Sequence, residues 1–306
     1  MESSMEELKI IVSEENEDNR IDRCIHSLME DRSRTYIQKL IKDGNVLLNG
    51  KACSASTRVS TDDEIVLFIP EAIELNIPAE NIPLDILYED EDLLIVNKPK
   101  GMVVHPAPGH YTGTLVNALL YHCKDHLSGI NGVLRPGIVH RIDRDTTGSL
   151  IVCKSNRAHL VMAEYLKEHS IDRRYRAIVH GSFSTQEGTI NAPIGRNPND
   201  RIKMAVVDNG KPAVTHYKVL QAWKEYSYVE CRLETGRTHQ IRVHMAHIQH
   251  PVLGDAVYSN RKSPYHLTGQ TLHAYYLGFP HPITGEYLEI EAPLPNYFQH
   301  LLDILP

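Results

Sequence analysis

The chain reads as an α+β protein, with a central, mainly antiparallel sheet flanked by helices and a small module ahead of it. Three observations predict this. Short β-branched runs dominate everything beyond residue 84, with few helical stretches between them. Two amphipathic helices and a hairpin signal, Asn49-Gly50, precede them. Between the two lies "EAIELNIPAENIPL" (71–84), which holds two prolines and no clear period and so fits a linker.

Taken in order, residues 1–18 read as an acidic tail, since residues 1–20 hold seven acids against two bases. Residues 19–80 form the small module. Ile21, Cys24, Ile25 and Leu28 recur at helical spacing; Ser33 can cap a second helix carrying Ile37, Leu40 and Ile41, which Gly44 can end. Asn49-Gly50 then turns "NVLL" back on "KAC", and "DDEIVLFIP" closes the unit as a strand. Residues 81–306 form the large domain. Its strands are "DLLIVNKP", "GIVHRID", "SLIVCKS", "RRYRAIVHG", "AVTHYKVL", "YSYVECRLET" and "LEIEAPLP". Two helices interrupt them: "LVNALLYHC", with Leu115, Ala118, Leu119 and His122 on one face, and "RAHLVMAEYLKEH", with Leu160, Ala163 and Leu166.

With 306 residues, 42% hydrophobic and 23% charged, the chain can bury a sizeable core. No apolar run approaches the roughly 18 residues of a membrane span, and "MESSMEELKI" is acidic rather than basic and apolar. A cytoplasmic location with no membrane partner is expected. Cys24, Cys53, Cys123, Cys153 and Cys231 are scattered without a C-x-x-C pair, as buried free thiols would be. The net charge of −7 argues against a nucleic-acid partner, yet it is unevenly placed. Residues 32–51 hold Arg32, Arg34, Lys39, Lys42 and Lys51 against Asp43 alone, and residues 135–176 hold nine bases against five acids. Such patches suit an RNA binder, and they also suit ordinary solvated faces.

The chemistry concentrates in "GIVHRIDRDTTGSLIVCKS" (137–155), a charged loop between two apolar runs that read as short buried strands. Loops on rigid strands carry catalytic groups, although surface loops are also charged because they meet water. A second segment, "LETGRTHQIRVHMAHIQHPVLGD", gathers Arg237, His239, Arg242, His244, His247 and His250. His244 and His247 lack the glutamate of an H-E-x-x-H site, so no metal is expected. Phosphate-binding, dinucleotide-binding and G-x-S-x-G signatures are all missing, which leaves Asp, Tyr and Arg to do the chemistry.

"VHRIDRDTTG" resembles the H-R-L-D-x-x-T-[ST]-G motif of the RluA-type pseudouridine synthases, with Ile142 at the usual leucine. "NKPKGMVVHP", "RRYRAIV" and "GRTHQIRVHMAHIQHPVLGD" look like that family's other three signatures, in the family's order, and residues 19–80 resemble the S4 RNA-binding module. The resemblance implies the family's antiparallel catalytic fold and an RNA partner. Within the family it points to 23S ribosomal RNA, free or in the assembling large subunit, with another ribosomal or transfer RNA site as the runner-up, and a monomer is expected. It also implies no cofactor, because isomerising uridine breaks a C–N bond and makes a C–C bond without exchanging electrons or phosphoryl groups.

Residue by residue, the resemblance carries the catalytic carboxylate onto Asp143, whether it attacks the sugar, attacks the base or removes a sugar proton. Arg242 matches the cation that favours the ionised acid in a dry cleft. Tyr175 matches the tyrosine that stacks on uracil. Arg141 matches an arginine that can fill the gap left by the extruded base, with a phosphate contact as its other reading. Arg34, Lys39 and Lys42 are the expected RNA contacts of the small module. His140 is expected to be a structural hydrogen-bonder, and Asp145 a turn acceptor for Thr147 or a backbone amide. Two other classes compete: a non-catalytic S4 RNA-binding protein, and a nucleosidase, which would need a second acid opposite Asp143.

Overall fold

The computed structural model describes residues 5–29, 34–70, 77–107, 110–124, 126–129, 136–200, 203–261 and 263–306. It divides the chain into two compact units, Met1–Leu75 and Asn76–Pro306.

In the first unit, strand β1 (Met5–Ile11) is followed by helices α1 (Ile21–Leu28) and α2 (Arg34–Lys42) and strands β2 (Val46–Leu48), β3 (Lys51–Ala52) and β4 (Glu64–Pro70). The strands form an antiparallel sheet in the order β1-β4-β2-β3. The acidic N-terminal segment, expected as a tail, therefore supplies an edge strand. Leu8 and Ile10 pack against the core at the period of two that a half-buried strand requires, a pattern masked by the surrounding glutamates. Asn49 and Gly50 both take positive φ, 50° and 75°, as the tight hairpin demands. Ile21, Cys24 and Ile25 pack against Ile37, Leu40 and Ile41 and against Val46, Ile65 and Leu67. Leu28, placed on the same stripe by its spacing, is exposed at the end of α1. Arg32 and the expected cap Ser33 lie outside the described residues.

Asp22 is fully buried and fastens α1 to α2. Its carboxylate accepts hydrogen bonds from Arg20 Nε (3.1 Å), Arg34 Nε (3.0 Å) and Nη2 (2.8 Å), and Gln38 Nε2 (2.6 Å). Arg34 is thus engaged within the unit, whereas Lys39 and Lys42 are exposed. Burial alone would raise this carboxyl, but the bonds from Gln38, Arg20 and Arg34 outweigh it and hold the group at about 2, from an ordinary 3.8. A carboxylate with a depressed folded-state pKa stabilises fully above its unfolded value, and that stabilisation is lost as pH falls through the folded value. The small unit should therefore weaken between about pH 4 and pH 2. Asp22→Ala should cost about 2–3 kcal/mol at pH 7 and flatten that acid loss. Hydrogen-exchange protection of the α1 and α2 amides across this pH range measures both; unchanged protection in the variant would show that the cluster contributes nothing.

The second unit contains β5 (Ile86–Glu89), β6 (Leu93–Lys98), α3 (Leu115–Cys123), β7 (Thr147–Cys153), α4 (Asn156–Lys167), β8 (Asp172–His180), β9 (Glu187–Asn191), β10 (Ile194–Arg196), β11 (Met204–Val206), β12 (Val214–Ala222), β13 (Tyr226–Leu233), α5 (Gln240–His247), β14 (Leu272–Pro280), β15 (Tyr287–Glu291) and α6 (Asn296–Ile304). Among the described residues nine strands form one sheet in the order β5-β6-β7-β14-β8-β13-β12-β9, with β15 also on β14, and only β7 and β14 pair in parallel. The mainly antiparallel α+β class holds. Helices α3 and α5 cover one face, through Leu115, Leu119, Ile241 and Met245. On the other face α4 packs through Ala158 and Met162, and α6 through Phe298 and Leu301.

Three local expectations change. The run Gly137–Val139 makes a single bridge, Ile138 to Val152, instead of a strand, because Gly137 takes φ 71°. Helix α4 buries Ala158, His159 and Met162 and exposes Leu160 and Ala163, since the Ser155 cap on the Ala158 N–H starts the helix with Ala158 inward. On α3, His122 faces solvent and bonds Glu89. All five cysteines are free thiols; Cys53 is partly exposed and the other four are buried. Among the described residues no helix is long and apolar enough to cross a membrane.

Candidate active site

Asp143 lies in the irregular segment that precedes β7, and neighbours pin this segment at both ends. Thr146 N–H donates to the Asp143 carbonyl at 3.1 Å, closing a turn, and Gln270 Nε2 donates to Thr146 Oγ1 at 3.1 Å. His140 Nε2 accepts the Ile151 N–H at 2.9 Å, so its proton sits on Nδ1. Burial, with help from the Arg173 charge, pushes this imidazole down to about 3, and it acts as a neutral hook. Gly148, just beyond, has φ 108°, and a Cβ there would run into the Ala274 backbone. Glycine is what lets β7 approach β14 closely enough to pair.

Lys98 ends β6 with a fully buried side chain. Its Nζ donates to the carbonyls of Pro99 (2.8 Å), Met102 (2.9 Å) and Arg144 (2.9 Å), tying "NKPKGM" to the residue after Asp143. Burial pushes the ammonium down to about 7 against the pull of Asp145 and Asp143. Lys98→Met should leave these carbonyls without a donor, lower stability by about 2–4 kcal/mol and slow turnover by loosening the loop. Denaturant melts with single-turnover rates measure both; an unchanged midpoint and rate would show that the ammonium does not hold the loop.

Arg242, on α5 and 5% exposed, bridges two carboxylates. Its Nη1 donates to Asp143 Oδ2 at 2.8 Å, while Nε and Nη2 donate to the two oxygens of Asp255 at 2.6 and 3.0 Å. Asp255 Oδ1 also accepts the N–H groups of Val257 (2.9 Å) and Tyr258 (3.1 Å). The bidentate pair with Asp255 sets the guanidinium plane, so the third donor is presented to Asp143 in a fixed direction.

Tyr175, on β8, is nearly buried against Cys231 and Ala274 of the neighbouring strands. Burial raises its phenol, Arg173 opposes and Asp143 adds to the rise, so the hydroxyl keeps its proton at neutral pH. Asp143, Tyr175, Arg242 and the exposed Arg141 line one solvent-open pocket, with Leu233 and Leu272 among its apolar lining. Arg141 Nη1 is 3.4 Å from His105 Nε2. Arg34, Lys39 and Lys42 belong to the other unit. Asp145 pairs with the Arg144 guanidinium at 3.1 and 3.2 Å rather than with Thr147 or a backbone amide. Thr147 instead bonds His273 Nδ1 at 2.8 Å.

His244, on the same helix as Arg242, is structural. His244 Nε2 donates to the Ala192 carbonyl (2.9 Å) and Nδ1 accepts from Thr215 Oγ1 (2.9 Å). Among the described residues no cluster of His, Cys, Asp or Glu could hold a metal ion. Sequence reasoning passed over Asp255 and Lys98, although both stand in quoted motifs. The signals were available: a buried arginine needs more than one carboxylate to satisfy its fork, and a lysine ending the apolar strand "LLIVNK" can be buried only if its N–H bonds are met.

The RNA pseudouridylate synthase family model matches residues 92–247, and the S4 domain model matches residues 20–65. A Bacillus subtilis relative named as an uncharacterized RNA pseudouridine synthase, YlyB, is 52% identical across 98% of this chain and 99% of its own length. The Zymomonas mobilis ribosomal large subunit pseudouridine synthase D is 47% identical, covering 97% of each chain. Among solved structures, human RNA pseudouridylate synthase domain containing 1 superposes with a TM-score of 0.57 at 29% identity, over 71% of this chain and 85% of that one. The chain belongs to the RNA pseudouridylate synthase family. It is an enzyme that isomerises uridine in RNA, preceded by an S4 RNA-binding domain.

Proposed function

We propose that the protein converts specific uridines of 23S ribosomal RNA to pseudouridine, acting as a monomer in the cytoplasm, with Asp143 as the reacting carboxylate. The observation that carries the site is the Arg242 to Asp143 ion pair on the wall of a pocket that also holds Tyr175. The target class is supported by relatives from three genera, 43–47% identical, named as ribosomal large subunit pseudouridine synthase D.

In this reading the uridine leaves its stack, at a cost of a few kcal/mol, and enters the pocket with uracil against the Tyr175 ring. Arg141 stacks in the space the base vacates. The glycosidic C–N bond breaks, the base turns, C5 bonds to the ribose, the C5 proton passes to water and N1 takes up a proton in its place. Asp143, held ready by Arg242, serves the bond-breaking half of this sequence. The small module (residues 19–80 by sequence) brings the RNA to the catalytic domain through the exposed Lys39 and Lys42, while Arg34 shapes the helix that carries them.

Mapping carbodiimide-dependent reverse-transcription stops in ribosomal and transfer RNA from a deletion strain tests the target. Loss of particular 23S stops, restored by the wild-type gene and not by an Asp143→Asn gene, is the expected result. An intact 23S pattern with stops missing from transfer RNA would move the substrate to that class.

A further inference from the structure

Arg242 holds one oxygen of Asp143; the group facing the other is a histidine. His239 Nε2 lies 3.8 Å from Asp143 Oδ1. The second ring nitrogen, Nδ1, is 2.7 Å from the Tyr258 hydroxyl, and that hydroxyl oxygen accepts the Met204 N–H at 2.9 Å. A backbone N–H can only donate, so Met204 occupies a lone pair of the phenol and leaves the phenol's single proton for Nδ1. If Nδ1 accepts, Nε2 carries the ring proton.

We propose that Tyr258 and His239 form a positioning relay: Tyr258 locks His239 in the Nε2–H tautomer, which aims a neutral donor at Asp143 Oδ1 while Arg242 holds Oδ2. The inference rests on the reading of Asp143 as the reacting carboxylate. One donor on each oxygen fixes rotation of the carboxylate, so it meets the nucleotide in a single orientation. At 3.8 Å the contact in the free enzyme is longer than a hydrogen bond, as contacts in unliganded sites often are, and the relay requires it to close when a nucleotide binds.

Two further features support the relay. His239 holds the left-handed conformation, φ 57° and ψ 21°, immediately before α5. The neighbouring Gln240 enforces it, accepting from Thr235 Oγ1 (2.8 Å) and Arg237 N–H (2.9 Å) while donating to the Val214 carbonyl (2.9 Å). An unfavourable backbone state is thus kept where it points an imidazole at the acid. Burial lowers the His239 imidazole, Arg242 and Arg141 push the same way, and Asp143 and Asp255 oppose, which leaves the ring neutral at neutral pH. Tyr258 also lies 5.0 Å from the Arg242 guanidinium, so one ring braces both donors.

The test uses the full-length protein, with histidine nitrogen NMR to read the tautomer and single-turnover kinetics on a 23S fragment. Wild type should show His239 protonated at Nε2. Tyr258→Phe should give mixed tautomers and a rate lower by about ten- to a hundredfold, with RNA affinity unchanged. His239→Gln, which keeps an N–H near the Nε2 position, should be faster than His239→Leu. An Nδ1–H tautomer in the wild type would overturn the relay, as would a wild-type rate in Tyr258→Phe. If Tyr258→Phe does not fold, equal rates for His239→Gln and His239→Leu would overturn it. These failures beside an inactive Asp143→Asn leave the catalytic assignment standing, whereas an active Asp143→Asn removes that assignment itself.

Discussion

Asp143→Asn should reduce pseudouridine formation by more than about a thousandfold, because a neutral amide replaces the carboxylate neither as nucleophile nor as base. RNA affinity should stay within about tenfold of wild type, since phosphate contacts, not the acid, supply most of the binding. Asp145→Asn is the control. Asp145 engages the Arg144 guanidinium at the surface, and that variant should keep substantial activity. Single-turnover assays and filter binding on the same RNA separate the two effects. Rapid turnover by Asp143→Asn would remove this carboxylate from the reaction.

Arg242→Ala should damage both stability and rate. Asp255 has no exposed side-chain surface, and its main charge partner is the Arg242 guanidinium at 2.6 Å. Removing that partner strands a buried carboxylate, at a cost of about 3–5 kcal/mol. This is a large fraction of the roughly 5–15 kcal/mol that holds a domain folded, so the denaturation midpoint should fall steeply. Activity should be lost as well, because Asp143 loses the donor at 2.8 Å. Arg242→Lys restores the charge but not the planar fork, and one ammonium cannot serve Asp255 twice and Asp143 once. It should recover stability better than rate. A wild-type midpoint in Arg242→Ala would show that the Asp255 pair is not a stability element.

The sequence made some features legible because a local rule governed them. Asn49-Gly50 turned the hairpin, and the α3 stripe of Leu115, Ala118 and Leu119 was buried as its period required. Others were hidden where a local rule was broken. Central strand β14, "LHAYYLGFP", escaped notice because a bulge between Ala274 and Tyr276 disrupts its alternation, and β1 because its apolar residues sit among acids. The site follows the same logic. Asp143, Tyr175 and Arg242 could be named from motifs; Asp255 ends one of the same motifs, but its contact with Arg242, like that of Tyr258 with His239, is made in space and not in sequence. The carboxylate that fixes Arg242 and the hydroxyl that fixes His239 come from the loop after α5.

The most direct test of an isomerising cleft built on Asp143 follows uridine tritiated at C5 within a 23S fragment, incubated with the full-length protein in buffer with EDTA and no added cofactor. Isomerisation replaces the C5–H bond with a bond to ribose, so tritium should appear in water in proportion to pseudouridine formed, with no free uracil, and Asp143→Asn should release none. Free uracil with tritium still attached would contradict the account, because it would mean that the cleft cuts the glycosidic bond without remaking it at carbon.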